Sequence, residues 1–442
     1  MAHVGSIVIA NAELGERHCD VEVCDGRISR IGSALTGADL RVDAAGGALL
    51  PGLHDHHAHL LAHAAASVSV DVARGLDALR NAEPVDGWLR GVGLDVEVDR
   101  ADLDRVRADV PLRVQHRSGS LWVLNSAAIA LTGATDAVVA GIERDGAGRP
   151  TGRLWRSDEW LSGQVPRGEP DLIALGAELA ALGITSVTDA SPHLSAASQA
   201  LLEHLAQRVT LLTAEPDRLP AGPRKIVVGD HDLPHIDDIV ADIQQARTAG
   251  RAVAVHAVTR AALLLVLAAI DEIGSIRGDR IEHAAVAHPE AVAGIRRHGL
   301  VVVTQPSLVA SRGDAYLDRC DTDDIPYLWP FRSLLEAGVP TVASSDAPYG
   351  DIDPWATVRA AGDRRTPSGR ILGADERVPA DVALGGYLTA PTDPAGPPRR
   401  VAVGAPADLA LLDVPLAVAL TDPRSEHVRA TLIGGRLVHG PH

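Results

Sequence analysis

The stretch GALLPGLHDHHAH, residues 47–59, joins an apolar run to four histidines in its second half. Short apolar runs next to glycine and proline are typical of buried strands. Residues two apart on a strand point to the same face, so either His54 with His56 or His57 with His59 can chelate one metal ion. The spacing alone does not choose between the two pairs. The stretch therefore predicts a buried strand that ends in a candidate metal site.

From about residue 180 onward, similar apolar runs alternate with amphipathic segments. Repeated βα units with β-branched, buried strands imply a parallel sheet. Together with the stretch above, the strands number eight, which is the number that closes a (β/α)8 TIM-type barrel. The predicted later strands are TSVTDA (185–190), VTLLTA (209–214), KIVVGD (225–230), VAVHAV (253–258), RIEHA (280–284), VVVTQP (301–306) and VPTVASSDAP (339–348), and the predicted helices between them include IDDIVADIQQARTAG, RAALLLVLAAIDEIG and PEAVAGIRRHG.

The two ends of the chain have a different pattern from this α/β middle. Residues 1–48 and 395–442 contain short runs with period-two alternation and glycine-containing turns, which favour antiparallel strands. We therefore predict that both termini build one small β-sandwich domain and that residues 49–394 form the barrel.

Two further runs, GVGLD (91–95) and LRVQHRSG (112–119), could also be strands, which makes the count of eight suggestive rather than decisive. We assign both runs to an insertion of about 64–180 that follows the first barrel strand. The insertion could supply a wall of a substrate pocket.

Composition excludes several classes of function. A net charge of -17 argues against a nucleic-acid partner, because such binding needs clustered basic residues. No apolar run of membrane-spanning length and no secretory signal are visible, and three cysteines fit free thiols in a cytoplasmic protein. We expect a cytoplasmic protein that acts on a small molecule, without nucleic acid or membrane. A homodimer or higher homo-oligomer is one option for its assembly.

Chemistry in such barrels takes place at the carboxyl ends of the strands. Besides the histidines of the first strand, those ends carry Lys225, His256, His283 and Asp346. A single histidine is more often a hydrogen-bonded structural residue than a ligand. Several histidines and an acid at the ends of separate strands are harder to explain by packing.

Lys225 is the only lysine in the chain, since the other basic residues are all arginine. A drift toward arginine could leave one lysine anywhere by accident. The alternative is that this position needs an amine that can lose its proton, which a guanidinium does not do.

These residues carry a resemblance to a known family. PGLHDHHAH resembles the opening Pro-Gly-Leu-x-Asp-x-His-x-His of the amidohydrolase superfamily, and the later lysine, histidines and aspartate follow in similar order. The chain looks closest to the amidohydrolase 3 group, which includes formamide deformylase-like enzymes. The resemblance extends through VQHRSGSLWVLNSAAI, GIERDGAGRPTGRL, LGITSVTDA, RIEHAAVAHPE and GAPADLALLD, and thus covers nearly the whole chain.

The resemblance implies a centre of two divalent metal ions, most simply zinc. It assigns the more buried ion to one pair of histidines and the more exposed ion to another, with a carbamylated lysine bridging the two ions. It gives an aspartate both a ligand role and the handling of protons. In this sequence, His57 and His59 would bind the more buried ion, and His256 and His283 the more exposed one. Lys225 would be the bridging lysine, and Asp346 the aspartate.

The implied function is hydrolysis of a C–N bond (an amide, a cyclic amide or an N-acyl or N-formyl group) by a metal-bridging hydroxide, with Asp346 as base and then acid. A hydrolytic deaminase of the same superfamily is disfavoured, because its catalytic glutamate would stand where this chain has Thr259. Ester or lactone hydrolysis stays open. A non-catalytic scaffold relative would typically have lost ligands, and this chain keeps a full set.

The chain departs from the family pattern at two places near the substrate. Ser118-Gly119-Ser120 stands in place of Asp-Gly-His, and Val258-Thr259-Arg260 in place of Gly-Asp-Arg. The family's known substrates are therefore not carried over.

Three of the candidate substrate contacts have a structural alternative. An arginine could bind a substrate carboxylate or form an ordinary ion pair, a tryptophan could fill the core of the insertion, and a glutamine could bond only its neighbours. His54 and His56, of opposite strand parity from the ligand pair, are interpreted as packing or supporting residues. The candidate contacts are Arg117, Ser120, Trp122, Gln305 and Tyr349.

Overall fold

The computed structural model describes residues 5–166, 170–229 and 233–441. The chain forms two compact units. The first comprises Met1–Leu60 and Leu172–His442, and the second comprises Leu61–Asp171.

Strands run through both units. They are β1 (Ile7–Leu14), β2 (Arg17–Cys24), β3 (Arg27–Gly32), β4 (Leu40–Asp43), β5 (Leu49–Pro51), β6 (Leu53–Ala58), β7 (Val70–Asp71), β8 (Leu89–Leu94), β9 (Leu112–His116), β10 (Leu121–Leu124), β11 (Ile142–Arg144), β12 (Pro150–Trp155), β13 (Ile184–Asp189), β14 (Arg208–Leu211), β15 (Arg224–Val227), β16 (Val253–Ala257), β17 (Arg280–His283), β18 (Val301–Thr304), β19 (Thr341–Ala343), β20 (Leu409–Leu412), β21 (Val428–Ile433) and β22 (Arg436–His439).

Helices follow most strands of the chain's middle part. They are α1 (Leu60–Ser67), α2 (Arg100–Val106), α3 (Ser126–Thr132), α4 (Asp158–Gln164), α5 (Leu172–Ala181), α6 (Ala196–Leu202), α7 (Ile236–Thr248), α8 (Arg260–Ile273), α9 (Pro289–Arg297), α10 (Ser307–Arg319), α11 (Arg332–Glu336), α12 (Pro354–Asp363), α13 (Ala380–Tyr387) and α14 (Leu416–Thr421). Short 3₁₀ turns lie at Leu76–Leu79, Ile325–Tyr327, Ala374–Glu376 and Ser425–His427.

The first unit contains two sheets of parallel strands, in the orders β14-β13-β6 and β15-β16-β17-β18-β19. Backbone hydrogen bonds join the edges of these sheets, among them one from Lys225 N to Leu212 O and one from Asp346 N to His57 O, both 2.8 Å long. The strands alternate with helices, so this part is a mixed α/β fold. The candidate metal ligands lie toward the carboxyl ends of β6, β16 and β17, in the loops after β6 and β19, and on β15. Lys225 is the second residue of β15 and not at its carboxyl end, as the sequence had suggested.

Burial explains why these segments form parallel strands. Every residue of β13, β17, β18 and β19 is buried, and most are β-branched or otherwise apolar, as in strands that are covered on both faces. Apolar side chains of α7, α8 and α9 pack against the strands in one core cluster, which includes Ile243, Leu263, Val266, Ile270 and Ile295.

The predicted strands after residue 180 are all present, and the helices predicted between them correspond to α7, α8 and α9. Two observed strands end earlier than expected: β15 stops at Val227 and β19 at Ala343. The residues directly after them, Val228 in one case and Ser344 in the other, already belong to loops. Asp230, at the end of one predicted strand, lies outside the described residues.

The chain termini form two four-stranded sheets, in the orders β3-β2-β1-β4 and β22-β21-β20-β5. One buried apolar cluster contains side chains from both sheets, among them Ile9, Val23, Leu49, Leu409 and Leu432. Residues of the amino and carboxyl ends thus share a core.

The second unit is built on a six-stranded sheet in the order β11-β12-β10-β9-β8-β7. Alternating residues of β9 and β10 enter different apolar clusters: Leu112 and Val123 belong to one, and Trp122 and Leu124 to the other. This unit ends at Asp171, whereas the insertion was predicted to extend to about 180. Helix α5, which follows, belongs to the first unit, where Thr431 Oγ1 donates to Ala180 O at 2.7 Å.

In the described part of the chain, no helix has both the length and the apolar character needed to cross a membrane. The cysteines Cys19, Cys24 and Cys320 are free, and all are partly exposed.

Candidate metal centre

His57, at the end of β6, is fully buried and held by a carboxylate behind it. Its Nδ1 donates a short hydrogen bond to Oε2 of Glu282, which is likewise inaccessible. The other carboxylate oxygen of Glu282 accepts from Arg280 Nε at 2.5 Å, and Arg280 donates in turn to His56 O at 3.1 Å. When the imidazole is neutral, this arrangement places its proton on Nδ1 and leaves Nε2 with a free lone pair.

His283, at the end of β17, is oriented in the same way by Gln305. Its Nδ1 lies 2.7 Å from Gln305 Oε1. The amide nitrogen of Gln305 donates to Val303 O and Ser344 Oγ, which fixes Oε1 as the acceptor that faces the histidine. Burial lowers the pKa of His283 to about 4, so the ring is neutral at pH 7 with its lone pair on Nε2.

Asp346 faces these nitrogens from the loop after β19. Its Oδ1 lies 3.3 Å from His57 Nε2 and 3.4 Å from His59 Nε2. One ligand atom from each of His57, His283 and Asp346 lies within 4.8 Å of the other two. Lone pairs of buried nitrogen and oxygen atoms that face one another repel unless a cation lies between them, so this donor set fits a divalent metal ion.

The backbone at two of these residues is also unusual. His283 and Asp346 have φ angles of 76° and 55°, in the left-handed region that residues other than glycine seldom adopt. Such conformations cluster at functional sites, because the surrounding structure must hold them in place.

Lys225, on β15, brings an amine to the same group of atoms. Its side chain is almost fully buried, and Nζ lies 3.3 Å from His57 Nε2. Burial lowers the pKa of Lys225 to about 8, against the attraction of Glu282 and Asp346. A substantial fraction of the amine is therefore neutral near pH 8, and only a neutral amine can react with carbon dioxide.

The pKa of His57 shifts in the opposite direction from that of Lys225. Burial and the charge of Lys225 lower its pKa, but Glu282 and Asp346 more than offset both, so the pKa of His57 is raised. A raised pKa means that metal binding competes with protonation of His57.

The other predicted ligands line the edge of this group. The ring of His256, on β16, lies 4.5 Å from that of His283, and burial lowers its pKa well below the usual value. His59, just after β6, is partly exposed, with its ring 5.5 Å from that of Tyr349. The predicted ligands therefore lie close together. They are His57, His59, His256, His283, Asp346 and Lys225.

The predicted substrate contacts fall into two groups. In the first unit, Tyr349 stands beside His59, whereas the polar atoms of the fully buried Gln305 are used by neighbours in the protein. In the second unit, Arg117 pairs with Asp95 at 2.9 Å, Ser120 Oγ lies 2.8 Å from Ser118 Oγ, and Trp122 is buried with its Nε1 bonded to Asp158 at 2.7 Å.

Sequence reasoning missed the groups that stand behind the ligands. Glu282 and Arg280 alternate with Ile281 on a strand whose residues are all buried, and an arginine two residues from a glutamate on such a strand is a signal for a buried ion pair. The role of Gln305 in orienting His283 depends on the pairing of adjacent strands. His54 is bonded to Ser186 and Thr188 on β13, as expected for a supporting residue.

Comparison with known proteins agrees with the mixed α/β fold. The family model for the amidohydrolase family matches residues 41–439. The N-substituted formamide deformylase of Arthrobacter pascens is 27% identical, with 94% of each chain covered, and the amidohydrolase YtcJ of Bacillus subtilis (strain 168) is 24% identical, with 98% of each covered. An uncharacterized metal-dependent hydrolase from Pyrococcus horikoshii superposes with a TM-score of 0.72 at 18% identity, covering 98% of this chain and 100% of that one.

The fold is therefore that of metal-dependent hydrolases, and the buried histidines and aspartate at its strand ends form a group that could hold a metal ion. The chain belongs to the amidohydrolase family.

Proposed function

We propose that this protein is a metal-dependent amidohydrolase that hydrolyses a C–N bond of a small molecule: an amide, a cyclic amide or an N-acyl or N-formyl group. The observation that carries the proposal is the convergence of buried, lone-pair-bearing ligand atoms of His57, His283 and Asp346. The similarity to an N-substituted formamide deformylase supports the choice of a C–N bond.

The residues present suit two divalent ions, with zinc as the simplest choice for imidazole and carboxylate ligands. His57, His59 and Asp346 would hold one ion, and His256 and His283 the other. Lys225, carbamylated, would supply one oxygen to each. When bound, the ions would activate a shared water and polarise the carbonyl of the substrate.

Asp346 has the geometry for proton transfer. Its carboxylate lies next to both histidines of the first strand, and their attraction, together with that of His283, keeps its pKa well below the usual value despite burial. The ionised carboxylate would accept a proton from the attacking water and deliver it to the leaving nitrogen. Glu282 and Gln305 would hold the imidazoles in orientation during this transfer.

The proposal includes the architecture predicted from the sequence. Eight parallel strands and the hydrogen bonds that join β14 to β15 and the loop after β19 to β6 support a closed (β/α)8 barrel. The core cluster shared by the two terminal sheets supports a small β-sandwich domain built from both chain ends.

The test is a screen of the purified protein, supplied with Zn²⁺, Co²⁺ or Mn²⁺, against N-formyl amines, N-acyl amino acids and hydantoins. The expected result is release of an amine that stops on chelation, with a rate about 10²–10⁴-fold lower in Asp346→Asn. Equal hydrolysis with and without a chelator, or equal rates for the wild type and Asp346→Asn, would contradict the proposal. Preferential cleavage of matched esters would assign the enzyme to ester hydrolysis instead.

A further inference from the structure

Two arginines stand side by side on the sheet of the second unit. Arg90 on β8 and Arg113 on β9 are direct partners in the register of this parallel strand pair. Like charges on neighbouring positions of adjacent strands repel each other. The register of this strand pair therefore places two positive charges side by side.

Both guanidinium groups lie over one indole. The Cζ atoms of Arg90 and Arg113 are each 5.4 Å from the centroid of the Trp122 ring. Trp122 itself is buried, and its Nε1 donates to the carboxylate of Asp158 at 2.7 Å. The pair is thus held against an aromatic face at the edge of an apolar cluster.

The two arginines differ in their polar partners. Arg90 interacts electrostatically with Asp158, and its Nη2 lies 3.4 Å from Gln115 Oε1. The side chain of Arg113 makes no hydrogen bond or ion pair with any described residue, and its Nε is buried from solvent. Burial alone lowers the pKa of Arg113, without an acidic group to raise it. Arg113 therefore has no counter-charge among the described residues, and a second guanidinium group stands beside it.

A partly buried guanidinium without a counter-charge is unfavourable, because it has lost hydration and gained no ion pair. Its planar row of donors matches the two oxygens of a carboxylate or phosphate group. We propose that Arg113, with Arg90 beside it and Trp122 beneath, forms a binding site for an oxyanion: the carboxylate or phosphate group of a small molecule. This proposal does not rest on the metal centre or on the reaction proposed above.

Thermal unfolding of the full-length, metal-loaded protein tests the proposal. The probes are sodium acetate and sodium phosphate, with sodium chloride added to keep the ionic strength constant. An anion that binds the folded protein raises Tm in a saturable manner. Arg113→Met keeps the apolar stem and removes the charge. Arg105→Gln is the matched control, because that exposed arginine has its own partner, Asp102, at 2.6 Å.

The wild type and Arg105→Gln should show a saturable rise of Tm with at least one of the two oxyanions, and Arg113→Met should lose at least about four fifths of it. Binding of the anions to the metal ions affects all three proteins equally, so only the difference is assigned to Arg113. Acetate and phosphate separate a carboxylate ligand from a phosphate ligand.

Three results would overturn the proposal. The first is a Tm of the wild type that rises no more with acetate or phosphate than with chloride. The second is an Arg113→Met protein that keeps the full rise of Tm with the oxyanions. The proposal would also be wrong if Arg113→Met melted well below the wild type in sodium chloride alone, because packing on Trp122 would then account for the arginine. Arg113→Lys, which keeps a charge but not the planar donors, should retain a smaller saturable shift.

Discussion

The Nδ1 nitrogen of His57 and the carboxylate of Glu282 form a hydrogen-bonded pair with no access to solvent. Arg280, also buried, neutralises the carboxylate from the other side. The pair fixes the orientation of the imidazole and makes its free nitrogen a better electron donor, as carboxylates behind metal-bound histidines do. The metal site proposed here therefore depends on residues that would not themselves touch the metal.

Replacing the carboxylate tests this dependence. Glu282→Gln keeps the volume but removes the charge behind His57, so the affinity for Zn²⁺ or Co²⁺ should fall about 10–100-fold. Because Arg280 is left without its partner, the free energy of unfolding should also fall, by about 3–5 kcal/mol. Competition with a chromogenic chelator measures the affinity. The control, Glu336→Gln, alters an exposed ion pair with Arg332 and should leave the metal affinity unchanged. Equal affinities of the wild type and Glu282→Gln would contradict the role of the pair.

Gln305 should act on His283 in a comparable but weaker way, since a neutral amide oxygen polarises the imidazole less than a carboxylate does. Gln305→Met removes the acceptor for His283 Nδ1 and leaves a side chain of similar length. We expect a loss of about tenfold in metal affinity, with the weaker-bound ion lost first. Stepwise titration with Co²⁺, followed by its visible absorption, resolves the two binding steps. Identical titrations of the wild type and the variant would rule out a positioning role.

Metal loading should depend on pH through Lys225. Its pKa is lowered to about 8, so the ammonium form predominates below that pH and the neutral amine above it. Carbamylation needs the neutral amine, and metal binding also displaces the proton of His57, whose pKa is raised. Bicarbonate-dependent uptake of metal should therefore rise between about pH 6 and pH 9. The same measurement on Lys225→Ala should show no bicarbonate effect, and a flat profile for the wild type would speak against carbamylation.

Gly52 links a terminal strand to the first parallel strand and tolerates no side chain. A Cβ at this position would lie 2.1 Å from Thr185 Cγ2 and 2.7 Å from Thr185 Cβ on the neighbouring strand. Gly52→Ala should therefore lower the free energy of unfolding by at least about 1–3 kcal/mol. Gly146→Ala, where a Cβ meets nothing within 4 Å, is the matched control. Chemical denaturation compares the two, and equal stabilities would contradict the close approach.

Much of this organisation was predictable from the sequence, because buried parallel strands have a distinctive apolar pattern and their ends carry the ligands. Metal-ligand spacing left two histidine pairs open on the first strand, and the family resemblance implied His57 with His59. The isolated lysine indicated Lys225. The pattern did not reveal Glu282, since strand alternation only says that it points away from His283 and not which side chain it reaches. Likewise, the unpaired charge of Arg113 depends on the register between strands that are distant in sequence.

The metal content of Lys225→Ala, measured by elemental analysis beside the wild type, tests the central claim most directly. The wild type should carry about two divalent ions per chain. Lys225→Ala should lose most of its metal and regain part of it with a short-chain carboxylic acid, while Lys225→Arg should remain empty because guanidinium does not become neutral. A Lys225→Ala protein with the full metal content of the wild type would contradict the claim that Lys225 bridges the centre.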